Sequence, residues 1–599
     1  MSHASPVVYD LSFEARAQHL VDVAATFPQE AVAQLPEGYG LDVFMPVWTP
    51  GSYMVREFAR QVQDVRASDP SGAPLPVAKI QKNCWRITLA KPCAVSLRYR
   101  VFGREMTVRS NCIEADFALV QGAATYLSPR GAAALPHHVR VQLPQGFDEL
   151  VCGLEVQGAG DVRTVVAADF DTLVDSPMAL GCPRLQHFDL AGKRHTLATF
   201  GGAGLFDDRR AAQDFERIAA CTAELFGVVP YDRYVMINLL FGGQGGLEHR
   251  HSAVIMASPW AMRSEQSYRG FLGLMAHEHF HAWNIKRLRP KALGPFDYDQ
   301  ENYTPSLWIA EGLTAFYDNL MVVRAGLCEP GAYLTELATE VTALHNTAGR
   351  HKQSLSEASF DAWIKFYRRD ENTDNTAVSY YLKGALVGML LNAELIGASE
   401  GTVSLDDVMR AAYGRFSGAQ GFEEAQFRAL VHKLCPQVPE DFLQRAVDTT
   451  EELSYDRWCE VFGIDKSAAR KEGDKGKPDS AIELGLALKD DPGRIIVAQV
   501  AADMPAHAAG LQADDEILAI DGYRMTPATW AHWLQMAVAR KKVQVLLSRY
   551  GVVRTLQMVP APLSPKVTRL KWRKEPSAAQ RRARKLWLGR ADIGEGPGG

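Results

Sequence analysis

The sequence lacks a CxxC pair, an internal repeat, a long apolar run and a strong net charge. Each absence narrows the answer. Nine scattered cysteines, an odd number without pattern, argue against a disulfide framework and for reduced, buried thiols in a cytosolic protein. A membrane-spanning helix needs about 20 consecutive apolar residues. No such run occurs, and no membrane is expected as a partner. The opening segment MSHASPVVYDLSFEARAQHL has no basic start followed by an apolar core, so no secretory leader is expected. A net charge of -5 over 599 residues is too small for a whole-protein attraction to nucleic acid.

What is present is the balance of a globular protein, with 47% apolar and 23% charged residues in a chain long enough for about three to four domains. The predicted class is a multidomain α+β protein. Residues 1–190 read as a β-sandwich-like domain, with short alternating runs at 84–89, 95–101 and 139–143 between Pro, Gly and Asp clusters. Residues 191–464 read as mostly helical. A strand at 234–241 ends in the glycine-rich loop 242–246, and helical spacing runs over 271–287, 307–325 and 378–396. Residues 465–480 (DKSAARKEGDKGKPDS) are charged and poor in apolar residues, which predicts a linker. A further module spans 481–563, and a basic tail spans 564–599.

His277-Glu278-His279-Phe280-His281 is an HExxH motif. On a helix, residues four apart share a face, so His277 and His281 can converge on one ion. Neutral imidazoles suit zinc, and a catalytic zinc site takes three protein ligands and leaves one position open. Glu278 then stands where it can accept a proton from the attacking water. His279 reads as a helix residue pointing elsewhere. With 16 histidines in the chain, an accidental HExxH is roughly a per-cent event, so a third ligand decides. The candidate is Glu311 in Trp308-Ile309-Ala310-Glu311-Gly312, because a carboxylate on an apolar helical face needs a partner. From the residues alone, ligand and non-ligand stay open for Glu311.

HExxH followed by a helix with WxxEG resembles the gluzincin peptidases, such as the aminopeptidase N family, and His281-Ala282-Trp283-Asn284 is similar to their HxW segment. Gly245-Gly246-Leu247-Glu248-His249 is similar to the Gly-x-Met-Glu-Asn exopeptidase motif. Tyr381-Leu382-Lys383-Gly384-Ala385 is similar to the segment that carries the catalytic tyrosine. With Trp48-Thr49-Pro50-Gly51-Ser52-Tyr53 and a PDZ-like C-terminal part, nearly the whole chain resembles the PDZ-containing glycyl aminopeptidase family of gluzincin zinc metallopeptidases. The resemblance implies a β-rich N-terminal domain, a thermolysin-like catalytic domain at 191–464 and a PDZ domain at 481–563. It implies zinc on His277, His281 and Glu311, with Glu278 as general base. Tyr381, rather than its neighbour Tyr380, is implied as the oxyanion donor. Gly245, Gly246 and Glu248 are implied to bind substrate, Glu248 taking the free ammonium of a peptide. The implied activity is removal of N-terminal residues, favouring Gly or Ala. Two departures from aminopeptidase N stand out. The insert at 288–305 implies an added loop near the cleft, and His249 in place of Asn alters the implied amine site.

Glu483-Leu484-Gly485-Leu486 looks like the carboxylate-binding loop of a PDZ domain. Leu484, Gly485 and Leu486 would then take a peptide C-terminus, adding the peptide as a strand. A docking module without a ligand is an equal reading, and Trp530 and Trp533 are bulky enough to fill the groove. The basic run Arg581-Arg582-Ala583-Arg584-Lys585 reads as a solvated face, with Trp572 and Trp587 packing the tail on the body. Two rival functions stand beside the aminopeptidase. One is a PDZ-assisted zinc endopeptidase in protein quality control, which Glu248 argues against because an anchored N-terminal amine enforces exopeptidase cleavage. The other is a non-catalytic PDZ adaptor, which the intact motif set argues against.

Overall fold

The computed structural model describes residues 5–32, 40–158, 160–469, 482–562 and 567–589. The chain divides into two compact units, Met1–Thr304 with Tyr317–Cys328 and Asp406–Val431, and Pro305–Phe316 with Glu329–Leu405 and His432–Gly599.

The first unit opens with strands of period two: in Val7–Ser12, Val7, Tyr9 and Leu11 are buried while their neighbours are half-exposed. Val7–Ser12 lies in an eight-stranded mixed sheet, pairing parallel with His137–Gln142 and antiparallel with Leu20–Phe27. Two four-stranded sheets accompany it. The runs at 84–89, 95–101 and 139–143 are the strands Cys84–Thr88, Val95–Phe102 and His137–Gln142. The next sheet begins before residue 191, because β1 (Arg184–Leu190) pairs antiparallel with β2 (Lys193–Gly201). After α1 (Asp208–Phe226) come β3 (Arg233–Leu240), β4 (Gly245–Glu248) and β5 (Ser252–Met256), giving the order β1-β2-β3-β5-β4. β3 is buried along almost its whole length, as a central parallel strand covered on both faces should be. The expected glycine-rich loop is thus shorter, since Gly245 and Gly246 already belong to the edge strand β4.

α2 (Glu265–Phe280) starts at Ser264, whose hydroxyl accepts from Ser267 N at 3.1 Å. Glu265 sits in the first turn, where the helix dipole favours an acid. Tyr268, Phe271, Leu272, Met275 and Phe280 are buried, each contributing about 1.5–3 kcal/mol of apolar burial. The helix ends earlier than its apolar spacing predicts. His281 is the C-cap, and Ile285 takes a positive φ of 94°, so the chain turns away directly after the motif.

The second unit is helical, with a small β module. A π-helical turn at Trp308–Gly312 runs straight into α3 (Leu313–Arg324), whose residues from Tyr317 onward belong to the first unit. After α4 (Pro330–Asn346), Ser379 caps α5 (Tyr380–Ala398), its hydroxyl accepting from Leu382 N at 3.2 Å. The stretch Thr373–Ala398, which includes α5, is apolar enough to cross a membrane by composition, yet most of it is buried within the protein. A helix apolar on all sides is then a core helix. Gly312 and Gly384 let the π-turn and α5 approach closely: a Cβ on Gly312 would stand 2.6 Å from Gly384 Cα.

Beyond α6 (Asp456–Phe462), the stretch expected as a linker opens in a strand, β6 (Ile464–Ala469), and residues 470–481 lie outside the described ones. The PDZ module follows, with β7 (Leu486–Leu488) paired to β8 (Val497–Val500) and α7 (Pro527–Met536). Its core holds Leu484, Val497, Ile517, Trp530, Val545 and Leu547. Trp530 therefore serves the core rather than the groove, with Trp533 half-buried beside it. β9 (Val567–Trp572) returns antiparallel to β6, and α8 (Ala578–Leu588) follows. Trp587 on α8 is buried, its ring 4.5 Å from that of Phe462. In the basic run Arg581, Arg582 and Lys585 are exposed, as expected of a solvated face, and Arg584 is the exception. It is buried, donating from Nε to Phe462 O at 2.6 Å and from Nη2 to Gly463 O at 2.7 Å, which satisfies carbonyls at the end of α6.

Candidate active site

The last turn of α2 carries His277, Glu278 and His281. Each imidazole is held through Nδ1. His277 Nδ1 lies 3.2 Å from Asp318 Oδ2 on α3, and His281 Nδ1 lies 3.0 Å from Asn284 O. Carboxylates and carbonyls only accept, so both rings carry the proton on Nδ1 and the lone pair on Nε2, the tautomer a metal requires. Asp318 had no sequence signal beyond its place about two turns after Glu311 on one continuous helix. His277 and His281 belong to the first unit and Glu311 to the second. Two neutral imidazoles and one buried carboxylate are a donor set that fits zinc. His279 instead points into the core: Tyr231 Oη lies 2.7 Å from its Nε2, and burial holds the ring well below the usual histidine range.

Tyr381 and Glu311 belong together. Burial first, then the Glu311 charge, pushes the Tyr381 hydroxyl well above its usual range, so it stays protonated and can donate. The close approach of Gly312 and Gly384 sets the two segments side by side. Tyr380, the competing candidate, lies beside Tyr381. Their rings are 4.5 Å apart, and both hydroxyls reach Tyr367 Oη, at 3.3 Å from Tyr380 and 2.9 Å from Tyr381.

The other end of the site lies along β4. Ligand atoms of Glu248, Glu278 and His281 also lie within 4.8 Å of one another. Glu248 is 4% exposed, and its Oε1 has no hydrogen-bond partner among the described residues. A buried carboxylate oxygen in that state calls for a cationic donor. Gly246 is glycine because a Cβ there would overlap Glu278 Oε1, and Gly245 because its φ is +147°.

The loop Trp48–Tyr53 closes over Glu248. Gly51 has φ +85°, and a Cβ on it would stand 2.5 Å from Glu248 Oε1. Arg109 ties this loop to the strand, donating from Nε to Ser52 Oγ at 3.1 Å and from Nη2 to Gly246 O at 3.4 Å. Trp48 Nε1 donates to Asp297 O and Gln300 O at 2.9 and 2.8 Å, so the insert expected near the cleft serves as the loop's anchor. Behind Glu248, His249 Nδ1 and Lys286 Nζ meet the buried Asp175 carboxylate at 3.0 and 2.7 Å. Burial alone would raise that carboxyl, but Lys286 and His249 hold it well below the usual range. Sequence reasoning gave no role to Gly51, Arg109 or Asp175. Gly51 had entered only as part of the Trp48–Tyr53 segment that carried the family resemblance.

Together these features define a metallopeptidase of the gluzincin class. The M61 glycyl aminopeptidase family matches residues 270–387, the M61 peptidase N-terminal domain residues 8–182, and the PDZ domain residues 483–558. Both M61 domains are matched in order, with a PDZ domain behind them. No curated protein matches it. Among solved structures, an aminopeptidase N family protein from Idiomarina loihiensis is similar over 97% of this chain and 100% of its own, at 27% identity and a TM-score of 0.89. An M1 zinc metallopeptidase from Deinococcus radiodurans matches 75% of this chain and 95% of its own at 14% identity and a TM-score of 0.46. Yeast LTA4 hydrolase in complex with bestatin matches 76% and 67% at 13% identity and a TM-score of 0.43.

Proposed function

We propose that this zinc aminopeptidase removes small N-terminal residues, Gly or Ala, from peptides with a free amine. The observation that carries this reading is the buried, unpartnered Glu248 Oε1 beside the general base and a metal-binding imidazole. It supplies the fixed counter-charge that an ammonium needs on leaving water, and it holds the first peptide bond at Glu278. Gly51 packed against the same carboxylate supports a short first side chain.

His277, His281 and Glu311 would hold the zinc, which when bound polarises the scissile carbonyl and the attacking water. Glu278 takes the water's proton and delivers it to the leaving amine. The Tyr381 hydroxyl donates to the developing oxyanion. Gly245 and Gly246 let an extended peptide lie along the edge of β4. At the PDZ module, Gly485 takes φ +72°, and the carbonyls of Leu484 and Gly485 accept from Ala506 N and Ala501 N at 2.9 and 2.7 Å. This shapes the loop at Leu484–Leu486 that we assign to a peptide C-terminus. No disulfide joins the cysteines among the described residues, and six of the nine are buried, which supports a reducing compartment such as the cytosol.

The test is one glycyl peptide compared free and N-acetylated. Glu248 desolvates for an ammonium, and losing one partner of such a pair costs about 2–5 kcal/mol. The acetylated peptide is therefore expected to be a poor substrate, and Glu248→Ala is expected to erase most of the difference. Equal wild-type rates on both would remove Glu248 from the mechanism and favour the endopeptidase.

A further inference from the structure

Tyr367 lies on a strap, residues 361–379, that leads into α5 and is built to hold its shape. Asp370 N donates to Thr373 Oγ1 at 2.8 Å, Thr373 Oγ1 donates to Asp370 Oδ1 at 2.9 Å, and Arg369 pairs with Asp374. At its start, the Tyr367 ring stacks on Trp363 at 5.5 Å. At its end, Val378 N donates to the buried side chain of Gln353 at 3.1 Å. The middle of the strap is gripped by the PDZ module. Asn375 Nδ2 donates to Val500 O at 2.9 Å, and Ala502 N donates back to Asn375 Oδ1 at 2.8 Å. Gln499 Nε2 donates to Asp374 Oδ2 at 3.1 Å. One amide side chain thus completes two main-chain bonds at the end of β8.

The hydroxyls at the head of α5 form an ordered chain. Each tyrosine has one proton to give. Tyr380 Oη donates to Tyr367 Oη at 3.3 Å. Tyr367 Oη lies 2.9 Å from Tyr381 Oη and, having accepted from Tyr380, is placed to donate to it. With that direction Tyr381 accepts from Tyr367 and keeps its own proton to give, polarised because successive hydrogen bonds reinforce one another. We propose that Tyr367 is a positioning residue that orients the Tyr381 hydroxyl, and that the PDZ module acts through Asn375 as the clamp on the strap that carries Tyr367. The proposal rests on the reading of Tyr381 as oxyanion donor. It gives the PDZ module a task inside its own chain, whether or not a peptide occupies its groove.

The experiment is a set of variants of the full chain assayed on a free glycyl peptide: Tyr367→Phe, Asn375→Ala, Tyr381→Phe, and each of the first two combined with the third. Zinc content and Tm are measured alongside. Tyr367→Phe is expected to lower kcat about 10-fold and to leave KM within about twofold, the signature of an interaction realised only in the transition state. Asn375→Ala is expected to act in the same direction by about threefold to tenfold and to speed hydrogen exchange in the strap. Neither is expected to add to Tyr381→Phe, because all three act through one hydroxyl. Unchanged kcat in Tyr367→Phe, or an equal loss in the Tyr381→Phe background, would overturn the positioning role. Faster exchange with unchanged kcat in Asn375→Ala would overturn the clamp. Wild-type turnover in Tyr381→Phe would instead overturn the donor assignment and the proposal with it, so the two failures are told apart.

Discussion

Gly51 does its work by having no side chain. Its positive φ and its contact with the Glu248 carboxylate both exclude a Cβ. Gly51→Ala should push the carboxylate aside and lower kcat/KM on glycyl peptides about 10²-fold, the loss typical of a misplacement near 1 Å. Zinc content should not change, and kinetics with metal analysis would check both. The proposed metal site predicts a different pattern. Glu311→Ala should lose zinc, whereas Glu278→Ala should retain it and lose turnover. A chelator should abolish wild-type activity, and added zinc should restore it. Zinc retained at wild-type affinity in Glu311→Ala would mean that the third ligand is another residue. Asp318→Asn should weaken zinc affinity about 10–100-fold, because it orients His277 without touching the metal.

At the scale of elements, the crossing of the π-turn and α5 decides whether Glu311 and Tyr381 can work together. Gly384 explains a glycine of the Lys-Gly-Ala segment that sequence similarity only registered: its Cβ would meet Gly312 Cα at 2.8 Å. Gly384→Ala should force the two segments apart and destabilise by about 1–3 kcal/mol, the usual effect of overpacking. Replacement of a solvent-facing residue by alanine elsewhere on the same unit is the control. Denaturant unfolding measures the loss, and an undiminished midpoint would show that the crossing tolerates a methyl group. The end of α2 makes a related point. Apolar spacing alone carried the predicted helix to residue 287, because side-chain periodicity continues through the tight turn that follows His281. The stop comes from backbone geometry at Ile285.

For the whole molecule, two buried histidines set a limit at acid pH. His137 and His195 are fully buried, and burial pulls each from 6.5 down to about 4. The unfolded chain binds protons at these rings as pH drops below 6.5, while the folded chain resists until about 4. Stability should therefore fall through that window, by up to about 3 kcal/mol for each ring. Tm measured from pH 7 to 4 should decline, and His195→Phe should flatten the decline. A variant with the wild-type slope would show that this ring does not titrate on unfolding. The tail is equally part of the body, since β9 pairs with β6 and Trp587 is buried. Both ends of the PDZ module are thereby tied to the helical unit.

Of the candidate site, the His277–His281 pair and Glu278 were legible from helix spacing, whereas Glu248 and Tyr381 entered only through the family resemblance, which also turned the open reading of Glu311 into a ligand. HExxH puts two imidazoles on one face, and the alternation in Val7–Ser12 or Val95–Phe102 marks strands whatever they pack against. The β-rich start and the helical middle were legible from such periodicity, and the PDZ module from its resemblance to the PDZ pattern. Tertiary structure alone decided what completes each pattern. Gly51 meets Glu248, Asp318 meets His277, Arg584 meets the end of α6, and Asn375 meets Val500. These partners lie far apart in the chain, and a contact between distant residues leaves no periodic trace in either segment. Such contacts arise when buried polar groups must find partners as water leaves, and that requirement is met only by the packed fold.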